Sequence, residues 1–432
     1  MLDRRTIFRI LFYMILIVPV AVDLVNGLIF FLSGTEVSVG ALYRVALMGM
    51  TLPFIFLIKN KFVKFWVGGM VFLFIVSFTI WNFNADFIEL KTEVEFLLRI
   101  MLPYFLLSFF VYVQENYVFD FDEFLSLMIW FGFIIGGCIV FSFITGVGIK
   151  TYDDNSYGVK SFFIAVNDIG LCLLLCFAAS LYRFLADFNL FKAIQAVTIF
   201  MGLLATGSRT GTAGAAAVLF FFLIVPLFYG RKNVNMSSSF KYGMISIMMV
   251  GAVAMIKVAY DYIQEYPYMM EKFESIGEES ARAHLEKAAM ERITNRPAIM
   301  QVFGEGTFAF HKYVEIGNTG GKTYAKGKWV EQDIMDMIGS YGYVVGGMML
   351  GFPILILGMI GIKFLTQGRK FIDLAMATIT GLFILHAFSA GHAINSPTVS
   401  TAIVVAYFYA IGYEKIYTDK ALLGSLGLPK AA

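Results

Sequence analysis

The chain has 432 residues, of which 59% are hydrophobic and only 15% charged, with a net charge of +2. A soluble protein carries roughly 25% charged residues, so this composition excludes an ordinary soluble domain. The near-neutral balance leaves no electrostatic footprint for a nucleic-acid partner.

Apolar runs of about 20 residues, the length needed to cross hydrocarbon, recur along the chain. They predict an all-α, polytopic membrane protein of about twelve spans, near 8–30, 40–58, 62–81, 96–113, 124–144, 161–182, 191–206, 210–229, 242–258, 336–362, 371–390 and 397–413. The first run follows Arg4, Arg5 and Arg9 and has no small-residue cleavage site, so it reads as an uncleaved span. It is long enough to tilt or to break near Asp23. Cys138, Cys172 and Cys176 all lie in apolar runs and read as small buried hydrophobes.

Cations sort by side. Lys59, Lys61 and Lys64, Arg183 and Lys192, Arg231 and Lys232, Lys363, Arg369 and Lys370, and Lys415 fall with the N-terminal arginines, whereas the short loops opposite hold few. The positive-inside rule then places both termini in the cytoplasm. The segment Gln114 to Glu123 departs from the pattern, being acidic on the inner side.

The chain divides into spans 1–9 (1–258), a large outer loop (259–335), and spans 10–12 with a tail (336–432). The loop carries structural signals: Glu278, Glu279 and Ser280 precede a helix-forming run, Ala281 to Ile293, which Pro297 ends. Gly304-Glu305-Gly306 predicts a tight turn, and Gly317 to Lys328 a flexible stretch. The segment reads as a folded cap over the outer face.

Charged residues concentrate on that face. Arg209 sits in Ser208-Arg209-Thr210-Gly211, between two apolar segments. A guanidinium there must reach the interface, a partner or an anion. Arg282 and Arg292 lie on the loop helix, about 15 Å apart and about 80° around its axis, which predicts different roles for them. Arg292 has Glu286 and Glu291 within reach for an ion pair. Arg296 precedes proline, outside the helix. Arg44 and Arg99 lie near the outer ends of their spans, and His392 in the last outer loop. Glu331, Asp333 and Asp336 open the tenth span; carboxylates suit a helix N-terminus, and Glu331 just before it could serve as a general base. Asp23 with Asn26, and Asp168 with Asn167, are polar groups in apolar spans that packing partners would explain. Gly342, Gly346, Gly347 and Gly351 form a stripe suited to close helix packing. No phosphate-binding loop, His-Glu-x-x-His or paired-cysteine motif occurs.

Ser208-Arg209-Thr210-Gly211 at a span junction, Arg282, Pro297 and Gly304-Glu305-Gly306 in one long loop, and Glu331-Gln332-Asp333 leading to Gly342-Tyr343-Val344-Val345-Gly346 are similar in order and spacing to the O-antigen ligase and polymerase superfamily of integral membrane glycosyltransferases. The resemblance covers roughly residues 195–413. It implies a GT-C-like fold and transfer of glycan from an undecaprenyl-diphosphate donor to a glycan acceptor. The active face would be the periplasmic side of the bacterial inner membrane, with no metal or other cofactor. In ligases of this group a His-Asn pair opens the helix after the loop. Glu331 and Gln332 stand in those places here, which points to a repeat-unit polymerase of lipopolysaccharide biosynthesis, with a chain-length regulator protein as an expected partner. The implied roles are Arg209 with Arg282 or Arg292 on the diphosphate, Glu331 or Asp333 as base, and Tyr313, Tyr324 and Trp329 on sugars. Arg44, Arg99, Asp336 and His392 are secondary candidates. A ligase, a transporter or flippase of lipid-linked oligosaccharide, and a non-enzymatic scaffold are the competing readings. A transporter would line the membrane midplane with polar groups, whereas these arginines gather on one side.

Overall fold

A computed structural model describes residues 4–35, 39–81, 87–117, 119–151, 158–187, 189–228, 243, 246, 281–319 and 329–425. All its extended elements are helices: α1 (Arg4–Leu16), α2 (Val18–Ser33), α3 (Val39–Thr51), α4 (Phe54–Leu57), α5 (Lys61–Trp81), α6 (Phe87–Asn116), α7 (Phe121–Thr145), α8 (Val166–Ala186), α9 (Leu190–Ala205), α10 (Arg209–Phe228), α11 (Ala281–Asn295), α12 (Ala298–Phe303), α13 (Thr307–Thr319), α14 (Asp333–Tyr341), α15 (Gly347–Thr366), α16 (Phe371–Ser389) and α17 (Pro397–Ser425). Among the described residues, eight helical stretches are long and apolar enough to span a bilayer. Three shorter apolar helices, Leu190–Ala205, Gly211–Phe222 and Pro397–Gly412, fall at three further expected spans. The expected ninth span, 242–258, lies outside the described residues apart from 243 and 246.

The first span does break, but at Ile17 and not near Asp23. Pro19 in the first turn of α2 is the cause. Proline has no N–H to give and crowds the preceding turn, so α1 ends before it. Asp23 lies within α2. The second span is interrupted in the same way, with Pro53 between α3 and α4.

The fourth span begins earlier than its apolar run. α6 starts at Phe87 and carries Glu89, Glu93 and Glu95 beyond the apolar segment. Glu93 is buried and accepts the Phe308 N–H at 2.6 Å, which ties α6 to the first turn of α13. Trp81 Nε1 donates to Phe303 O at 3.0 Å and joins α5 to the end of α12.

Small residues let the helices approach. The Cβ of any larger residue at Gly202 in α9 would stand 2.7 Å from Gly136 Cα in α7. Gly202→Val is expected to destabilise the fold by about 1–3 kcal/mol through overpacking, read as a lower melting temperature in detergent. Gly342 and Gly346 are filled by the Val302 and Met337 carbonyls respectively, whereas Gly347 and Gly351 face open space. Only half of the glycine stripe therefore packs. Between α14 and α15 the chain takes one π-helical stretch, Gly342–Gly346, and the combined span runs from Asp333 to Thr366.

The loop helices have a core of their own. Leu285, Ala289 and Ile293 of α11 meet Phe310 and Val314 of α13 and Val330, with Met335 and Ile338 of α14 packed against them. The cap is thus closed by the first turns of the next span. α11 covers the expected helix and ends before Pro297. The proposed cap residues 278–280 and most of the glycine-rich stretch lie outside the described residues.

At the opposite end, the acidic segment after α6 finds cations from elsewhere. Arg9 pairs with Glu123 at 2.5 Å and Arg183 with Asp122 at 2.8 Å. Glu115 accepts the Lys59 and Asn60 N–H groups. Neighbouring helices supply the charge that the segment itself lacks.

Candidate functional site

Several candidate residues expected from the sequence lie at the loop-bearing end. Two carboxylates at the start of α14 act as latches. Asp333 is fully buried, and its Oδ2 accepts the Ala393 and Ile394 N–H groups at 2.8 and 2.9 Å. Asp336, also buried, accepts the Val330 N–H at 3.1 Å and lies 3.2 Å from His311 Nε2. The first bond set pins the loop between α16 and α17, and the second pins the return of the outer loop.

Between these latches the backbone is strained. Glu331 (φ 65°) and His392 (φ 63°) are both non-glycine residues in the left-handed region. Each such residue costs of order 1–3 kcal/mol, and such strain gathers at functional sites. The two segments touch. An added Cβ at Gly391 (φ 68°) would lie 2.5 Å from the Glu331 carbonyl carbon, so only glycine lets His392 reach the side of Glu331. Trp329 stands beside them, its ring 5.8 Å from His392, 4.1 Å from His311 and 4.8 Å from Phe96.

A polar cluster continues from this point into the bundle. Asp168 in the first turn of α8 hydrogen bonds with Ser396 and lies in the field of His392, Arg99 and Arg44. Arg44 pairs with Asp23 at 2.6 Å, and Thr398 donates to the other Asp23 oxygen at 3.2 Å. Arg99 lies over the Phe96 ring at 5.4 Å. Four helices and a loop, remote in sequence, thus bring Arg44, Arg99 and His392 together, along with Asp23 and Asp168, which the sequence marked only as packing residues.

Arg209 and Arg282 are positioned by backbone; their side chains lie outside the described ones. Arg209 opens α10. The turn before it is built by Gly207 (φ 65°), Thr206 and Ser208, whose Oγ accepts the Gly211 N–H at 3.1 Å. An added Cβ at Gly170 would stand 3.4 Å from Ser208 Oγ, so this turn packs on α8 two residues past Asp168. Arg282 lies in the first turn of α11. One turn further, Glu286 takes a hydrogen bond from Gln332 at 3.3 Å. Arg282 thus stands one helical turn before the residue whose side chain reaches Gln332.

The chain matches the family model of O-antigen ligase like membrane proteins over residues 5–301, more than half its length. The chain belongs to this family. No curated protein matches it. The match takes in Arg44, Arg99, Asp168, Arg209 and Arg282, and stops short of Glu331. Membership makes the chain a membrane protein of the O-antigen ligase-like group, which acts on O-antigen and lipid-linked glycan as a membrane glycosyltransferase-like enzyme.

Other expected residues of this O-antigen ligase-like protein take structural positions. Arg292 does form an ion pair, but with Glu305, at 2.5 Å, and not with Glu286 or Glu291. That hydrogen bond holds the Arg292 guanidinium above its ordinary pKa. Tyr313 lies under the same guanidinium at 4.6 Å, so it packs on Arg292. Arg296 is buried. It donates to the Gly339 and Ile338 carbonyls at 2.5 and 2.8 Å, near the C-terminus of α14 where a cation is favoured. Burial pushes its pKa down. Tyr324 lies outside the described residues. The sequence reading missed His311, Glu93 and Gly391. His311 stood within a segment with no other polar pattern, and its partner Asp336 is 25 residues away.

Proposed function

We propose that this protein is a polymerase that joins undecaprenyl-diphosphate-linked oligosaccharide repeat units into O-antigen or a related surface polysaccharide. The loop-bearing end faces the periplasm of the bacterial inner membrane, and both termini face the cytoplasm. The observation that carries the reading is the strained Glu331, in the place where ligases have histidine. It is set against the Gly391-His392 segment, with Arg282 one helical turn before Glu286, which reaches Gln332, and the Arg209 turn packed on α8 at Gly170.

In this reading Arg209 and Arg282 hold the donor diphosphate, since a planar fork of donors suits phosphate and stabilises charge on the leaving group. Glu331 takes the proton from the acceptor sugar hydroxyl. The oxygen so activated attacks the anomeric carbon, the bond to the diphosphate breaks, and the configuration inverts. No metal is required. Asp333 is assigned no proton-transfer role, because its carboxylate is buried and engaged by two backbone donors. Arg292 is likewise assigned to the cap through Glu305.

The test is purified protein in detergent with lipid-linked repeat units and chelator. Polymers of two or more units are expected. Transfer only to lipid A–core would make it a ligase, and movement of the lipid-linked glycan across vesicles without polymer would make it a flippase. Arg209→Lys keeps the charge but loses the bidentate fork. The loss of one charge-assisted hydrogen bond, worth about 1.5–3 kcal/mol, is expected to slow turnover roughly 10- to 100-fold at unchanged protein level. Wild-type rates in both Arg209→Lys and Arg282→Ala would remove the diphosphate assignment.

A further inference from the structure

Arg99 differs from Arg44 within the polar cluster. Among the described residues it makes no hydrogen bond or ion pair, only the contact with the Phe96 ring. Among the described residues it is also exposed. It stands four residues past Glu95, at the outer end of the apolar run of α6. A guanidinium there reaches the interface, a partner or an anion.

The charges facing it are accounted for. Arg44 adds a second positive group nearby, while Asp168 and Glu95 act from a distance. Asp168 is already hydrogen bonded to Ser396 and shared with His392 and Arg44. Arg44 gives one N–H₂ group to Asp23 and retains further donors, since a guanidinium has five N–H bonds. Two guanidiniums with free donors therefore stand near each other.

This pair is separate from the Arg209 turn. On α8, Gly170 meets the turn of Ser208, whereas Asp168 meets the Arg44–Arg99 side. Two residues along a helix are about 200° apart around its axis, so α8 stands between the two arginine groups.

We propose that Arg99, assisted by Arg44, seats a phosphate group carried by a second lipid. In the polymerase reading, on which this assignment rests, that lipid is the diphosphate-linked acceptor, held on the other side of α8 from the donor. A reaction between two lipid-linked glycans requires both headgroups to be held at once. The same chemistry would also suit the phosphate of a bilayer phospholipid.

Native mass spectrometry of the full-length protein separates the two sources, with undecaprenyl diphosphate and phosphatidylglycerol as probes. The expected result is two bound undecaprenyl diphosphates on the wild type, one on Arg99→Gln, one on Arg209→Gln and none on the double variant. Each single change should weaken its seat at least tenfold, with the melting temperature unchanged. If the second undecaprenyl diphosphate is absent but one tightly held phosphatidylglycerol is lost in Arg99→Gln, the seat belongs to a phospholipid headgroup. If Arg99→Gln changes the binding of neither lipid, the proposal is overturned. Arg99→Lys, which keeps the charge, should retain part of the binding. Counting bound lipid needs no turnover, so a protein that binds two diphosphates yet makes no polymer would fail the polymerase reading and leave the seat standing.

Discussion

Glu331→Gln is expected to stop chain extension, lowering turnover by roughly 10²–10⁴-fold, while the protein accumulates and melts as the wild type does. Glutamine keeps the shape of the side chain and loses the proton acceptor. A Glu331 that served only the fold would show its loss as lowered melting, not as lowered turnover alone. The backbone gives a second, opposite readout at the same position. Glu331 is held at φ 65° against Gly391, a conformation that glycine adopts freely. Glu331→Gly should therefore be about as stable as the wild type, or about 1 kcal/mol more stable after glycine's own entropic cost, and inactive. Stability retained or gained with activity lost is the signature of strain kept for function. Synthesis at wild-type rates in Glu331→Gln would move the base elsewhere, and His392 would be the next group to change, because it is the titratable side chain brought alongside by Gly391.

The helical framework was legible because hydrocarbon thickness sets the length of an apolar run. The breaks were less so. Asp23 drew attention as a charge in a span, but a carboxylate that finds Arg44 and Thr398 sits quietly in α2, and Pro19 interrupts the helix instead. The early start of α6 was hidden for a related reason. Glu89, Glu93 and Glu95 look like a loop by hydropathy, yet they form a helical extension that carries the cap. In the site, residue types gave the arginines and the carboxylates before α14, while their pairing was out of reach. Arg292 had two glutamates on its own helix and took a third, Glu305, because α13 packs back on α11 and brings the turn before it alongside. Asp168, Arg44 and Arg99 come from three helices, and no periodicity within one segment could bring them together. Gly391 carried no motif at all; its role is visible only where the Glu331 carbonyl fills the space of its missing side chain.

Glu305→Ala is expected to have the largest effect on the fold of the cap. Glu305 is buried between two guanidiniums: Arg292, which it grips at 2.5 to 3.0 Å, and Arg296, 3.9 Å away with no exposed side-chain surface. Arg296 also donates to the last carbonyls of α14 and cannot turn to water without releasing them. Removing the carboxylate would leave that cation buried without a counter-charge, a change that typically costs about 3–5 kcal/mol. Paired removal should cost less, because an alanine at 305 with methionine at 296 has no orphaned charge to accommodate. The single variant should therefore melt well below the wild type in detergent, and its outer loop should be cut by protease at concentrations that leave the wild type intact. The double variant should recover part of both. Activity is expected to fall with the loss of the cap, since α11 carries Arg282 and packs through Ile293 and Leu285 onto the helix that Glu331 precedes. Unchanged melting and protection in Glu305→Ala would mean that the cap is held by its apolar core alone, and that the Arg292–Glu305–Arg296 cluster is free to serve another role.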